Sequence, residues 1–153
     1  MFRTPLTAFR SLAIAEAISW TLLILGLVIR SAFDLPVAVT IGGGIHGFVF
    51  LCYGATAVLV AWNNRWSIVP TVCAVGAAIV PYATVPTEMV LRRRGLLAGE
   101  WRTEATEDPR DRRPLDGFLR WFVRRPIVLA VILAVGIVTA YVALLVIGPP
   151  GRA

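Results

Sequence analysis

The chain of 153 residues has no lysine, one histidine and two cysteines, and long blocks of it carry almost no charge. Each scarcity excludes something. Cys52 and Cys73 both lie in apolar stretches, form neither a disulfide framework nor a metal-ligand spacing, and read as small packing residues. One histidine and one nearby glutamate are too few ligands for a metal unless an oligomer supplies more, so no metal is expected. A phosphate loop followed by lysine, a nucleophile elbow, a zinc motif and a catalytic triad are all missing, so the chain reads as a non-enzyme with no catalytic residues and no cofactor. The glycines of "GGGIHG" lack the strand–turn–helix setting of a nucleotide loop.

What is present is apolar. Hydrophobic residues make up 58% of the chain, against roughly 45–50% in soluble domains, and the mean hydropathy is +0.76. Ser11 to Ile29 carries only Glu16 as a charge, Leu35 to Trp62 only a histidine, and Trp66 to Thr87 and Ile127 to Ile147 carry none. Each block reaches the roughly 18 residues of a candidate spanning helix. The expected fold is all-α: a polytopic membrane protein of four transmembrane helices with a basic loop between helices 3 and 4. The first block is long for a signal peptide, contains Glu16 and lacks a small-x-small cleavage site, so it is read as a retained helix. The units are a three-helix membrane domain over 1–94, a basic loop with an interfacial helix over 95–125, and a fourth helix with a short tail over 126–153.

All fifteen basic residues are arginine, a bias attributed to a G+C-rich bacterial genome, and the net charge is +6. The arginines flank membrane blocks, so anionic lipid headgroups rather than nucleic acid are the expected partners. With four spans, Arg30 and the ten arginines from Arg92 to Arg125 face one side, against Arg3, Arg10, Arg65 and Arg152 on the other. The positive-inside rule then puts residues 92–125 in the cytoplasm of a bacterial plasma membrane and both termini outside. Arg3 and Arg10 argue against that assignment, and one re-entrant block would reverse it. Within the loop, "RTEATEDPRDRRP" reads as flexible. Leu115, Phe118, Leu119 and Phe122 recur at helical spacing opposite Arg113, Arg120 and Arg124, which suits either an interfacial helix or a downward continuation of the fourth helix. Arg92, Arg93, Arg94, Arg120, Arg124 and Arg125 are the expected contacts to headgroups or a partner. The fourth helix opens at Pro126, stops at Gly148-Pro149-Pro150, and reads as an anchor.

An ionisable side chain inside a span costs roughly 2.5–3.5 kcal/mol on insertion scales and is a functional-site hypothesis by default. Glu16 sits beside Ala13 and Ala17, and His46 beside Gly43 and Gly47, so each lies next to a pair of small residues four apart on one helix face. Taking about 1.5 Å per residue, Glu16 lies roughly 20 Å and His46 roughly 15 Å from the first loop. Helices 1 and 2 are therefore expected to pack through these small faces with Glu16 and His46 hydrogen-bonded or ion-paired, and with Ser19 and Tyr53 completing the network. Such a pair either fixes helix register or handles a proton, since histidine titrates near neutral pH. Pro70, Pro81 and Pro86 predict a kinked third helix near Tyr82 to Thr87. Glu88, one turn before Arg92, is expected in an interfacial ion pair.

These residues carry a resemblance. The His46-Gly47 pair, Phe9-Arg10, "AEAIS" at Ala15 to Ser19, "RWS" at Arg65 to Ser67 and the stretch Pro81 to Glu88 make the first 94 or so residues resemble the DUF3817 family of small bacterial integral membrane proteins. Glu88 stands where an aspartate is frequent in that family, and the arginine loop and fourth helix are additional. The resemblance implies membrane location and no assigned activity. The expected role is an accessory, scaffold or assembly subunit of a larger membrane complex, with partner proteins in the membrane or copies of itself. The alternative is an oligomeric proton-handling or solute-transporting protein working through Glu16 and His46, and a membrane enzyme ranks third.

Overall fold

The structure is a computed structural model and describes residues 3–105, 107, 109–112 and 114–147. The expected stop at Gly148 to Pro150, together with Arg113 and Arg152, lies outside the described residues. Regular structure among the described residues is entirely helical: α1 (Pro5–Phe33), α2 (Pro36–Asn63), α3 (Ile68–Gly76) continued by a 3-10 turn (Ala77–Ile79), α4 (Thr84–Arg93), a 3-10 turn (Pro109–Arg112), α5 (Pro114–Val123) and α6 (Pro126–Ile147). Of these, α1, α2 and α6 are long and apolar enough to cross a membrane.

Local chemistry sets the boundaries. Thr4 caps α1 by accepting from the Thr7 N–H, Thr7 Oγ1 accepts in return from the Thr4 N–H, and Pro5 occupies a first-turn position where an N–H would be unpaired. Asp34, in the left-handed region at φ 51°, ends α1, and Pro36 starts α2 two residues later. The two helices approach through two glycines. A Cβ on Gly26 would sit 2.6 Å from the Ala38 carbonyl oxygen, and one on Gly42 2.6 Å from that of Leu22, so backbone meets backbone and no side chain fits.

The third apolar block differs from expectation. It is two short helices, not one kinked span, separated by a turn at Val80–Ala83 in which Tyr82 takes φ 63°. The prolines explain the break. Pro70 and Pro86 each sit at the third position of their helix, where an N–H has no acceptor four residues back, and Pro81 falls in the turn itself. Breaking the block therefore removes the cost that three prolines would impose on a continuous helix. The two halves run in opposite directions. Tyr53 and Trp20 bond the carbonyls of Ala74 and Ala78 on the way in, and Thr84 then Glu88 pass Glu16 then Arg10 on the way back. Both ends meet at one end of the bundle, where the Trp66 indole and Asn64 amide donate to the Leu96 carbonyl at 2.7 Å each. The block is thus a hairpin that penetrates about 20 Å, counting 1.5 Å per α-helical and 2.0 Å per 3-10 residue. Phe9, Tyr53, Ala57, Val60, Ala74, Ala78, Leu91 and Leu97 form the core under it.

The loop after the hairpin is tied down at Leu97, Arg102 and Asp111, while Thr103, Glu104, Ala105, Glu107 and Pro109 are exposed. α5 is a separate helix and not a continuation of α6, because a turn at Arg124 and an unstructured Arg125 precede Pro126. Its buried positions are Asp116, Leu119 and Val123, while Leu115, Phe118 and Trp121 are exposed. α6 lies along α2, with Leu129 as its buried residue and Tyr141 donating to the Gly44 carbonyl.

Candidate functional site

Glu16, Ser19, His46 and Tyr53 are all buried and all point at the contact between α1, α2 and the hairpin. Glu16 and His46 do not bond each other, contrary to expectation. Their depths differ by about 5 Å, which is three helical residues, so His46 is level with Ser19 instead. His46 Nδ1 lies 3.0 Å from Ser19 Oγ, and the Ser19 hydroxyl donates to the Glu16 carbonyl at 2.8 Å. With its single proton committed there, Ser19 accepts at Oγ, which assigns the imidazole proton to Nδ1. The ring is flanked by Trp20 at a centroid distance of 4.3 Å and Phe50 at 6.2 Å.

Glu16 turns to the hairpin. Its Oε2 lies 3.0 Å from Thr84 Oγ1, which is also 3.0 Å from the Ala13 carbonyl oxygen, while Oε1 is buried with no hydrogen-bond partner. One hydroxyl proton makes one near-linear hydrogen bond, not two. Both contacts are satisfied when Thr84 donates to Ala13 and a protonated Glu16 Oε2 donates to Thr84. Trp20 and Tyr53 complete the set, donating to the carbonyls of Ala78 at 3.2 Å and Ala74 at 2.8 Å. These carbonyls sit where α3 tightens and ends, so their own helix leaves them short of donors. In lipid such groups must be satisfied internally.

The small residues divide the work differently from expectation. Ala13 is buried and supplies the carbonyl for Thr84, and Ala17 is half-buried beside it. A Cβ on Gly43 would stand 3.7 Å from the Leu23 side chain, an ordinary contact, and one on Gly47 would stand 3.6 Å from the Tyr141 ring of α6. Gly42 and Gly26, not Gly43 and Gly47, make the close approach of α1 to α2. Glu88 has Arg92 Nε at 3.9 Å and, unforeseen, Arg10 Nε at 3.7 Å.

A second cluster was not legible as a site. The buried Asp111 accepts from Arg65, from Arg102 at 3.2 Å and from Arg120 at 3.0 Å. Arg102 also bonds Asp116 at 2.8 Å and caps the C-terminal end of α2 through the carbonyls of Asn63 at 2.6 Å and Trp62 at 3.0 Å. Asn63 and Asn64 tie the same end to the carbonyls of Glu100, Leu96 and Ala98. Arg120 is thereby turned inward to Asp111. Arg92, Arg93, Arg124 and Arg125 are exposed, as is Arg94 at the end of α4, and Arg125 stacks 4.4 Å over the Trp121 ring.

Residues 6–93 match the family described as Domain of unknown function (DUF3817), a range that takes in α1, α2, the hairpin and the whole polar core. The chain belongs to this family. It is 34% identical over 106 residues to "Putative membrane protein SCO5905" of Streptomyces coelicolor, an overlap covering 68% of this chain and 12% of that protein. It is 27% identical over 93 residues to "Uncharacterized membrane protein YdzA" of Bacillus subtilis, covering 60% of this chain and 97% of that one. The DUF3817 chain therefore spans about an eighth of the first relative and nearly all of the second. No solved structure matches it. Apolar helices of spanning length and membrane-protein relatives make it a membrane protein.

Proposed function

We propose that this chain is a small non-enzymatic subunit of the bacterial plasma membrane that serves as an accessory or scaffold component of a larger assembly. The observation that carries the reading is that Glu16, Ser19, His46, Tyr53 and Thr84 direct their hydrogen bonds to one another and to the protein's own backbone. They fasten a broken helix into a bundle. The matched unit supports a modular role, since in one relative it is nearly the whole protein and in another an eighth of a long chain.

The hairpin also bears on orientation. With the third block entering and leaving on one side, Arg3, Arg10, Arg65 and the ten arginines from Arg92 to Arg125 share a side, leaving Arg30 and Arg152 opposite. Thirteen against two replaces eleven against four and removes the conflict over Arg3 and Arg10. The reading is three spans and a re-entrant hairpin, with the N-terminus and residues 92–125 cytoplasmic and the segment after α6 outside.

A second reading, a proton-handling protein, draws on the partnerless Oε1 of Glu16. Purified chain in liposomes with an internal pH dye separates the two. The scaffold reading expects proton leakage equal to that of empty vesicles, and native mass spectrometry of membranes solubilised in mild detergent to show a stoichiometric partner. Leakage above that baseline which disappears in Glu16→Gln would overturn it in favour of the second.

A further inference from the structure

An apolar groove of about 620 Å³ opens between α2 and α6 at the arginine-rich end of the bundle. Its walls are Ala8 of α1, Leu59 of α2, Trp101 from the loop, and the stripe Pro126, Ala130 and Ala134 of α6. The three α6 positions are four residues apart and therefore share a face, and the two alanines leave that face hollow. From Pro126 to Ala134 the groove runs about 12 Å, counting 1.5 Å per residue, close to the half-thickness of a hydrocarbon core of roughly 30 Å. Deeper in, α6 closes back onto α2, where Tyr141 donates to the Gly44 carbonyl and its ring meets Phe48 edge-on at 5.9 Å.

A polar niche of about 580 Å³ is lined by Gly117, Arg120, Trp121, Arg124 and Arg125, the residues that lead into Pro126 at the groove's shallow end. The two are linked along the chain, Arg125 lining the niche and the next residue, Pro126, lining the groove. Arg124 and Arg125 are exposed, and the contacts described for them are the Thr103 carbonyl and the Trp121 ring, neither of which neutralises a charge. Beside them, α5 exposes Leu115, Phe118 and Trp121, an apolar face suited to the acyl boundary.

We propose that this composite site binds one anionic phospholipid of the cytoplasmic leaflet, with its phosphate on Arg124 and Arg125 and one acyl chain in the α2–α6 groove. Charge and length select this occupant. A partner helix, from a second copy or another protein, would run the full depth of the bilayer, whereas the groove ends after one leaflet. Two cations at its mouth call for an anion at headgroup level, where surface arginines act most strongly on acidic lipids. The site rests on the chain being a membrane protein and on the arginine-rich end being cytoplasmic. It requires no view of what the protein assembles with.

The test is native mass spectrometry of the full chain, delipidated in mild detergent and titrated with phosphatidylglycerol, with phosphatidylcholine of the same chains, or with inorganic phosphate. One retained phosphatidylglycerol per chain is expected, with phosphatidylcholine held at least tenfold less well. Arg124→Gln with Arg125→Gln should reduce phosphatidylglycerol retention about tenfold or more, given about 1 kcal/mol per cation near an acidic surface. Ala134→Phe should reduce it while the arginines remain, and thermal unfolding of both variants reports whether they are folded. Equal retention of the two lipids, or no effect of the arginine pair in a folded variant, overturns the proposal. Inorganic phosphate competing as well as the lipid would reduce the site to an anion niche and also overturn it. So would a lipid-free dimer that Ala134→Phe disperses, because the groove would then be an interface between copies. A chain extracted from membranes without detergent would instead overturn the membrane reading beneath it.

Discussion

Thr84 has one hydroxyl proton and two acceptors at 3.0 Å, and the geometry resolves the competition if Glu16 carries the second proton. Glutamine keeps that donor. Glu16→Gln should therefore hold thermal stability in detergent within about 1 kcal/mol of the native chain, whereas Thr84→Val, which leaves the buried Glu16 carboxyl without its hydroxyl partner and takes an added donor from the Ala13 carbonyl, should cost about 1–3 kcal/mol. A Glu16→Gln chain that melts like Glu16→Ala would mean that the carboxylate form is the one the fold needs. The glycines give a second test at this scale. Gly42→Ala places a Cβ 2.6 Å from the Leu22 carbonyl, a backbone atom that cannot step aside, while at Gly43 the neighbour is a leucine methyl at 3.7 Å. Thermal melts should show Gly42→Ala strongly destabilised and Gly43→Ala near native. Equal melting of the two would contradict the register of α1 against α2.

What the sequence makes legible in each helix follows from what each feature depends on. The buried polar side chains Glu16, Ser19, His46 and Tyr53 can be found in the sequence, because a polar residue in an apolar run stands out whatever the tertiary structure. Their partners cannot be found that way. The Ala74 and Ala78 carbonyls become acceptors because α3 stops, and that depends on three prolines acting together with the packing of α4 on α1. Four apolar blocks likewise suggest four spans, since composition does not tell a crossing from a turn-back. In the loop, the composition of "RTEATEDPRDRRP" does not reveal which of its residues are held: Asp111 gathers Arg65, Arg102 and Arg120 around one carboxylate, while Thr103, Glu104 and Ala105 are exposed. Removing that carboxylate takes the shared acceptor from Arg65, Arg102 and Arg120, of which Arg102 keeps Asp116. Asp111→Ala should cost about 3–5 kcal/mol, the range for breaking a buried ion pair on one side, and proteolysis of the loop over residues 99–113 should accelerate in detergent. Unchanged cleavage would show that the network does not order the loop.

For the whole molecule, the proposed orientation rests on the hairpin. If the third block crossed the membrane, residues 4 and 105 would lie on opposite sides, whereas a block that turns back puts them on the same one. Bonds from Trp66 and Asn64 to Leu96 hold the two ends of the hairpin together, so a crossing would have to break both as well as the Glu16–Thr84 contact. An impermeant thiol reagent reads the result in a chain with Cys52→Ala and Cys73→Ala. Thr4→Cys and Ala105→Cys should both be protected in intact cells and react after permeabilisation, and Leu35→Cys, at the opposite end of α1, should react in intact cells. Labelling Thr4→Cys but not Ala105→Cys from outside would restore four spans and place the hairpin's polar bonds in doubt. The arginine count agrees with the hairpin: with the block turned back, thirteen arginines fall on one side and two on the other, and the positive-inside rule expects the larger number in the cytoplasm.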